Sequence, residues 1–169
     1  MANLTNRPAL PLNKVMDDIP PFERFYLAHC DEVLAYLRRL LGHRAEDAWQ
    51  ETFMRALRAY NRLQHGKHLR AWVFTIATNV AMDELRGTQP VSLDDVHEPA
   101  VELNRDSFRE LEHLTSGLPP TERVAVVLRY GYDLSYDVIG TALGSNEQAA
   151  RAAASSGVRR LRRDHEHHA

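Results

Sequence analysis

The sequence contains a single cysteine, Cys30, among 169 residues. One thiol can form neither a disulfide framework nor a zinc site built from several thiolates. No apolar run approaches the roughly 18 residues that cross a bilayer, which excludes an integral membrane protein. The first 21 residues hold no apolar segment typical of a signal peptide. We therefore expect a cytoplasmic protein with no membrane partner.

Excess positive charge is also absent. The chain has 21 Lys and Arg against 23 Asp and Glu, for a formal net charge of −2. This balance excludes a protein that holds nucleic acid by bulk positive charge alone. Residues 87–103 hold no Lys or Arg, four acids and two prolines, which is typical of a linker. We predict a flexible segment at 1–20, a module at 21–86, an acidic linker at 87–103, a second module at 104–163 and a solvated tail at 164–169.

Every periodic stretch of the chain has helical spacing, and none shows the alternation of a strand. Gly42 is predicted to end a first helix that begins near Phe22. Further helices are predicted at 45–61, 68–86, 107–114, 120–130, 136–143 and 146–163. In the helix at 45–61 the inward positions are expected to be Trp49, Phe53, Ala56, Leu57 and Tyr60. The predicted fold class is all-α, in two small bundles.

The segment that follows Ser135 has the pattern of a helix-turn-helix. Ser135 is a candidate N-cap, Gly144 stands where the turn needs positive φ, and a helix of small and basic residues follows. Such a helix can lie in a major groove and present its N-terminal residues to base edges. The spacing alone is equally compatible with a plain helical hairpin inside a bundle.

Two segments resemble a known family. DAWQETFMRALRAY, followed by HLRAWVFTIATNVAMDELR, is similar to domain 2 of the sigma factors of bacterial RNA polymerase, and most of all to their extracytoplasmic-function group. LPPTERVAVVLRYGYDLSYDVIGTALG is similar to domain 4 of the same group. The resemblance implies a factor that binds core polymerase, recognises promoter DNA and helps to melt it. It leaves open whether an anti-sigma factor binds this chain.

The first segment carries the motif D-x-x-Q-E, which docks on the clamp helices of the polymerase in the family. Helical spacing places five side chains on one face: Asp47, Gln50, Glu51, Met54 and Arg58. Carboxylates and an amide suit a basic partner surface. The resemblance therefore implies that this face binds polymerase; without it, a solvated helix face with intrahelical pairs would be preferred.

The loop and helix that follow are implied to contact the minus-ten element and to melt the duplex. In the family, this loop captures a base of the non-template strand. The implied DNA-binding residues are Asn61, His65, Lys67, Arg70, Asn79 and Arg86. Positions predicted to lie off the apolar stripe of the helix also include Thr75, Thr78, Met82 and Asp83. Trp72 could stack on a base, but its place on the apolar stripe favours a core position.

The predicted recognition helix departs from the family pattern. Alanines stand where base-contacting residues and a core leucine are expected, and Gly157 inside the helix costs about 1 kcal/mol relative to alanine. Recognition of a minus-thirty-five element would depend on Asn146, Gln148, Arg151 and Ser155, with backbone phosphates held by Arg159 and Arg160. This helix therefore either recognises DNA weakly or serves a different sequence.

Three other functions remain as alternatives. A sigma-like protein that binds polymerase but has lost promoter recognition would fit the alanine-rich helix. A free-standing helix-turn-helix regulator would need a basic module, whereas residues 104–169 hold nine Arg and nine acids. An enzyme would need a phosphate loop, clustered metal ligands or a nucleophile motif, and the sequence shows none of these. We expect neither catalysis nor a cofactor, and no metal at the His-rich tail.

Overall fold

The structure is a computed structural model that describes residues 18–87 and 113–168. Three helices form the first bundle: α1 (Phe22–Leu41), α2 (Ala45–Tyr60) and α3 (Leu69–Gly87). Three more form the second bundle: α4 (Pro120–Val126), α5 (Tyr136–Ala142) and α6 (Glu147–His168). Within these ranges there is no strand, so the predicted all-α fold in two bundles is confirmed. The acidic linker lies outside the described residues, apart from Gly87 at the end of α3.

The first bundle is closed by aromatic packing between its three helices. Phe25 is almost fully buried and contacts Phe53, Tyr60 and Trp72, with ring centroids 5.2 to 6.3 Å apart. Gly42 ends α1 with a φ of 59°, a conformation that glycine adopts without strain. A short 3₁₀ turn, Gly42–Arg44, then reverses the chain into α2.

The second bundle is a helix-turn-helix preceded by one supporting helix. Pro120 opens α4, where its missing N–H leaves no hydrogen bond unmade. A π-helical turn, Val127–Gly131, continues α4. Gly144, with a φ of 67°, makes the turn between α5 and α6. The predicted start of a helix at residue 120 and the predicted turn at Gly144 are therefore confirmed.

The hydrophobic core is continuous across the two bundles. The residues that form it include Tyr36 and Phe74 of the first bundle and Val124, Leu128 and Tyr132 of the second. Each bundle alone is near the lower size limit for a self-sufficient core. The packing of the two bundles against each other therefore supplies part of the apolar burial that each bundle needs.

Several expectations from the sequence are corrected. Leu57 was expected to point inward but is 48% exposed. Thr78 and Met82, expected off the apolar stripe of α3, are buried, and the Thr78 hydroxyl shares a 2.8 Å hydrogen bond with the hydroxyl of Tyr36. The last helix was expected to end at Arg163, but α6 continues to His168; the side chains of residues 164–167 are exposed, as expected for a solvated tail.

Two further expectations fall at the edges of the described ranges. Of the segment predicted to be flexible at 1–20, residues 18–20 pack on the first bundle, where the Tyr60 hydroxyl donates a 2.6 Å hydrogen bond to the Pro20 carbonyl. Residues 1–17 lie outside the described residues. The same is true of the predicted helix at 107–114, apart from residues 113 and 114, which lie in a helical turn.

Candidate polymerase and nucleic-acid interfaces

The outer face of α2 carries the side chains predicted to bind polymerase, and we call it the docking face. Its members Asp47, Gln50, Met54 and Arg58 are exposed. Glu51 is half-exposed and pairs with Arg55 at 2.6 Å, one helical turn further on.

An unpredicted apolar residue, Leu57, extends the docking face. It and Met54 are among the few large apolar side chains that stand about half exposed on the described surface. Exposed apolar side chains surrounded by polar groups are typical of a protein-binding patch. The docking face therefore joins acidic, amide and apolar groups in one surface.

The segment 61–68, which joins α2 to α3, is the melting loop of the prediction. Asn61, His65 and Lys67 are exposed there. Gly66 is required by packing, because a Cβ at this position would lie 1.7 Å from the carbonyl oxygen of Asp18. The N-terminal residues of the described chain thus hold the loop in place while its polar side chains project outward.

A cavity of about 410 Å³ opens between the melting loop and α5. Trp72 lines it, and the same ring lies 5.6 Å from that of Phe25 and 6.1 Å from that of Tyr60. Trp72 is therefore a core residue with one part turned to the cavity, as its place on the apolar stripe indicated. Thr141 and Asp137 of α5 form the opposite wall.

The predicted DNA-binding residues of α3 are placed differently from one another. Asn79 and Arg86 are exposed. Arg70 instead pairs with Glu32 at 2.5 Å and donates a 3.0 Å hydrogen bond to the backbone carbonyl of Tyr132. The hydrogen bonds that the Arg70 guanidinium donates to Glu32 raise its pKa, although burial works against this shift. In this structure the Arg70 guanidinium is thus bound by Glu32 and Tyr132, although its side chain is still 38% exposed.

The N-terminal part of α6 is the predicted recognition helix. Asn146 caps it: the Asn146 Oδ1 accepts a 2.8 Å hydrogen bond from the backbone N–H of Ala149. Gln148 and Ser155 are exposed. The structure therefore gives Asn146 a role in the helix itself, while Gln148 and Ser155 project to solvent.

Arg151 is positioned by two groups, Glu147 and the ring of Tyr136. Its guanidinium pairs with Glu147 at 3.0 Å and lies 4.5 Å from the centre of the Tyr136 ring. Arg129 stacks on the same ring, also at 4.5 Å. A planar guanidinium on an aromatic face keeps its hydrogen-bonding edge outward. Arg151 is therefore partly ordered before any DNA arrives.

The alanines of α6 have a packing role that the sequence did not reveal. Ala150 and Ala154 are fully buried, and a Cβ at Gly157 would lie 2.7 Å from a methyl group of Val126. The missing side chain of Gly157 therefore lets α6 approach α4 closely. Only Ala149 and Ala152 of the alanine-rich stretch are exposed.

The two arginines predicted to hold phosphates also differ. Arg159 and Arg160 are both exposed, but Arg160 also pairs at 2.8 Å with Glu122, whose side chain is largely buried. Ser156 donates a 2.8 Å hydrogen bond to the other oxygen of Glu122. Arg160 thus ties α6 to α4. Glu122, the one acidic residue of α4, was the signal in the sequence that could have indicated this.

The described residues contain no helix long and apolar enough to cross a membrane. They also contain no group of three or more His, Cys, Asp or Glu placed to hold a metal ion.

Comparison with known proteins identifies the family. Residues 25–90 match Sigma-70 region 2, and residues 108–161 match Sigma-70, region 4. The chain is 35% identical over 151 residues to the RNA polymerase sigma factor CarQ of Myxococcus xanthus, covering 83% of this chain and 87% of CarQ. It is 31% identical over 158 residues to the ECF RNA polymerase sigma factor SigE of Mycolicibacterium smegmatis, covering 85% of this chain and 61% of SigE.

A solved structure shows the same fold. The sigma factor RpoE of Bartonella quintana, crystallised with the anti-sigma factor NepR, matches with a TM-score of 0.68 at 21% identity, over 84% of this chain and 94% of that one. The order of the two matched regions agrees with the order of the two bundles. The chain belongs to the sigma-70 family, in its extracytoplasmic-function group.

Proposed function

We propose that this chain directs core RNA polymerase to promoters through two surfaces that lie on different bundles. It is a promoter-recognising initiation factor, as its family membership indicates. The observation that supports the assignment of residues is the docking face. Four of its five predicted members are exposed on one side of α2, and the exposed Leu57 lies on the same side.

Promoter recognition is assigned to the melting loop and the recognition helix. The loop offers Asn61, His65 and Lys67 to a flipped base and its phosphates. On the recognition helix, Gln148, Arg151 and Ser155 are the exposed groups proposed to reach base edges. Because Asn146 and Arg160 have internal partners, upstream recognition depends on fewer side chains than the sequence suggested.

The protein acts in the cytoplasm, where polymerase is found. It performs no catalysis of its own and supports the polymerase by binding and positioning. An anti-sigma factor is a further partner, proposed on family membership alone.

Binding to core polymerase tests the docking face. Gln50→Ala with Glu51→Ala is expected to weaken co-elution with core polymerase in gel filtration, while changing the free energy of unfolding by no more than about 0.5 kcal/mol. Glu166→Ala, an exposed acid near the end of α6, is the control that removes one charge elsewhere. Unchanged binding by the double variant would show that the docking face is misassigned.

Promoter melting tests the loop separately. Substituting Asn61, His65 and Lys67 by alanine should spare polymerase binding and reduce the permanganate reactivity of thymines in the transcription bubble. Normal reactivity would remove the loop from the melting machinery. If the unmodified protein binds polymerase but opens no promoter, the alternative function applies: a sigma-like protein that has lost promoter recognition.

A further inference from the structure

One tyrosine ring at the start of α5 carries two arginines. The central guanidinium carbons of Arg129 and Arg151 each lie 4.5 Å from the centre of the Tyr136 ring. The three residues come from three elements: Arg129 from the π-helical turn, Tyr136 from α5 and Arg151 from α6. The ring therefore joins the recognition helix to the two elements that precede it in the second bundle.

The Tyr136 ring is itself held in place by its surroundings. Tyr136 is half-buried and packs against the hydrophobic core. It is the first residue of α5, whose first turn is closed by a 3.0 Å hydrogen bond from the Ile139 N–H to the Ser135 carbonyl. Arg129, which lies on the ring, also donates a 3.2 Å hydrogen bond to the Leu134 carbonyl. The ring thus has a defined position before DNA binds.

The ion pair of Arg151 holds its guanidinium less firmly than the ring does. Arg151 and Glu147 are both exposed and stand one helical turn apart, with 3.0 Å between them. Exposed pairs of this kind contribute little to the order of either side chain. Stacking on an aromatic face restricts the plane of the guanidinium, while the N–H groups in that plane stay free to donate hydrogen bonds. The ring therefore determines where the N–H groups of Arg151 point.

Recognition of guanine depends on this direction. An arginine recognises guanine by donating two hydrogen bonds at once, to O6 and to N7. A side chain that is already held in its binding orientation loses less conformational entropy when it binds. We infer that Tyr136 is a specificity-determining positioning residue: its ring contacts no base and sets the direction in which Arg151 meets the major groove. The inference rests on the proposed function of the recognition helix.

Transcription by core polymerase and the full chain, from a promoter library with a randomised upstream element, tests the inference. The measured quantity is the preference for the best base over the average base, at the upstream position where Arg151→Ala lowers it. Tyr136→Leu removes the aromatic face and keeps an apolar side chain against the core. It should reduce this preference about fivefold, the effect expected when one long side chain is no longer ordered before binding.

Two further variants identify the aromatic face as the responsible group. Tyr136→Phe keeps the face and loses only the hydroxyl, so it should retain the full preference. Tyr130→Leu makes the first substitution at an exposed tyrosine of the π-helical turn, and it should also leave the preference unchanged. An equal loss of preference in Tyr136→Phe and Tyr136→Leu would overturn the inference, because the hydroxyl would then be responsible.

A double-mutant cycle shows whether Tyr136 acts through Arg151. In an Arg151→Ala background the ring has no guanidinium left to orient, so adding Tyr136→Leu should lower the preference no further. A general disturbance of the helix-turn-helix would instead lower the preference by the same factor in both backgrounds. That additive result would overturn the inference.

Nuclear magnetic resonance of the unmodified chain provides a test that needs no substitution. The ring current of an aromatic side chain shifts protons above its face upfield. The δ-methylene protons of Arg151 should therefore resonate upfield of those of Arg162, which is exposed on the same helix. Equal shifts for the two arginines would overturn the inference even if Tyr136→Leu does not fold.

The outcomes separate the positioning role from the function on which it rests. If the unmodified chain and core polymerase give no promoter-dependent transcripts, the proposed function fails, and the inference fails with it. If transcripts appear with an upstream preference that Arg151→Ala lowers and folded Tyr136→Leu leaves intact, only the positioning role of Tyr136 is refuted.

Discussion

Gly140 sets how closely the two helices of the helix-turn-helix cross. A Cβ at this position would lie 2.4 Å from the carbonyl carbon of Asn146, 2.5 Å from its oxygen and 2.9 Å from the backbone nitrogen of Glu147. All three atoms belong to the backbone at the start of α6. A rotamer change therefore cannot relieve the overlap, and α6 itself must move away from α5.

The size of the effect follows from two opposing terms. Replacing glycine by alanine within a helix gains about 1 kcal/mol of helix propensity. Overpacking of a filled interior costs about 1–3 kcal/mol, and this case lies near the upper end because backbone, not a side chain, must shift. We predict that Gly140→Ala lowers the free energy of unfolding by about 1–2 kcal/mol.

Urea denaturation of the full chain measures this change. The urea concentration at the midpoint of unfolding should fall, while the slope of the free energy of unfolding against urea stays the same. Thr141→Ala, at the next and exposed position of α5, is the control and should be close to neutral. Gly140→Ala should also weaken duplex binding through the recognition helix, because Gln148 and Arg151 move with α6. A Gly140→Ala protein as stable as the unmodified chain would refute the close crossing.

Three other predictions concern separate parts of the molecule. Leu57→Ser should weaken competition for core polymerase about fivefold, because burying the exposed half of a leucine is worth about 1 kcal/mol; an unchanged competition curve would place Leu57 outside the interface. Arg151→Ala should remove most upstream sequence preference in transcription from a promoter library, whereas Arg162→Ala, exposed on the same helix, should lower affinity and keep the preference. Burial, with a contribution from Arg70 and against one from Glu32, lowers the pKa of His29. The unfolded chain therefore takes up the proton first, and stability should fall as the pH drops below about 6.5; His29→Gln should reduce that dependence in denaturation curves, and an identical dependence would assign it to other groups.

The local features of this fold could be predicted from the sequence because they depend on neighbouring residues. Gly42, Pro120 and Gly144 each act through their own backbone, so the ends of the helices they bound agree with the structure. Leu57 was misplaced because it follows Phe53 by four residues, the usual spacing of one helix face. The buried side of α2 instead runs through Thr52 and Ala56, which turns Leu57 outward.

The contacts between the bundles could not be predicted in the same way. Arg39 and Tyr132 are 93 positions apart, and nothing in the spacing of either segment indicates the other. The alanine-rich helix was misread for a related reason. Alanine at a predicted DNA-contacting position suggests a lost contact, whereas Ala150 and Ala154 are buried against other helices of the second bundle. Only the three-dimensional packing separates these two meanings.

Transcription in vitro from a promoter library, with the purified chain and core polymerase as the only protein components, tests the central claim most directly. We predict transcripts that start at defined sites and share a minus-ten element, with a weaker upstream preference. The transcripts should be lost when Gln50 and Glu51 are both replaced by alanine. No transcripts above those of core polymerase alone, or transcripts unaffected by the double substitution, would contradict the account.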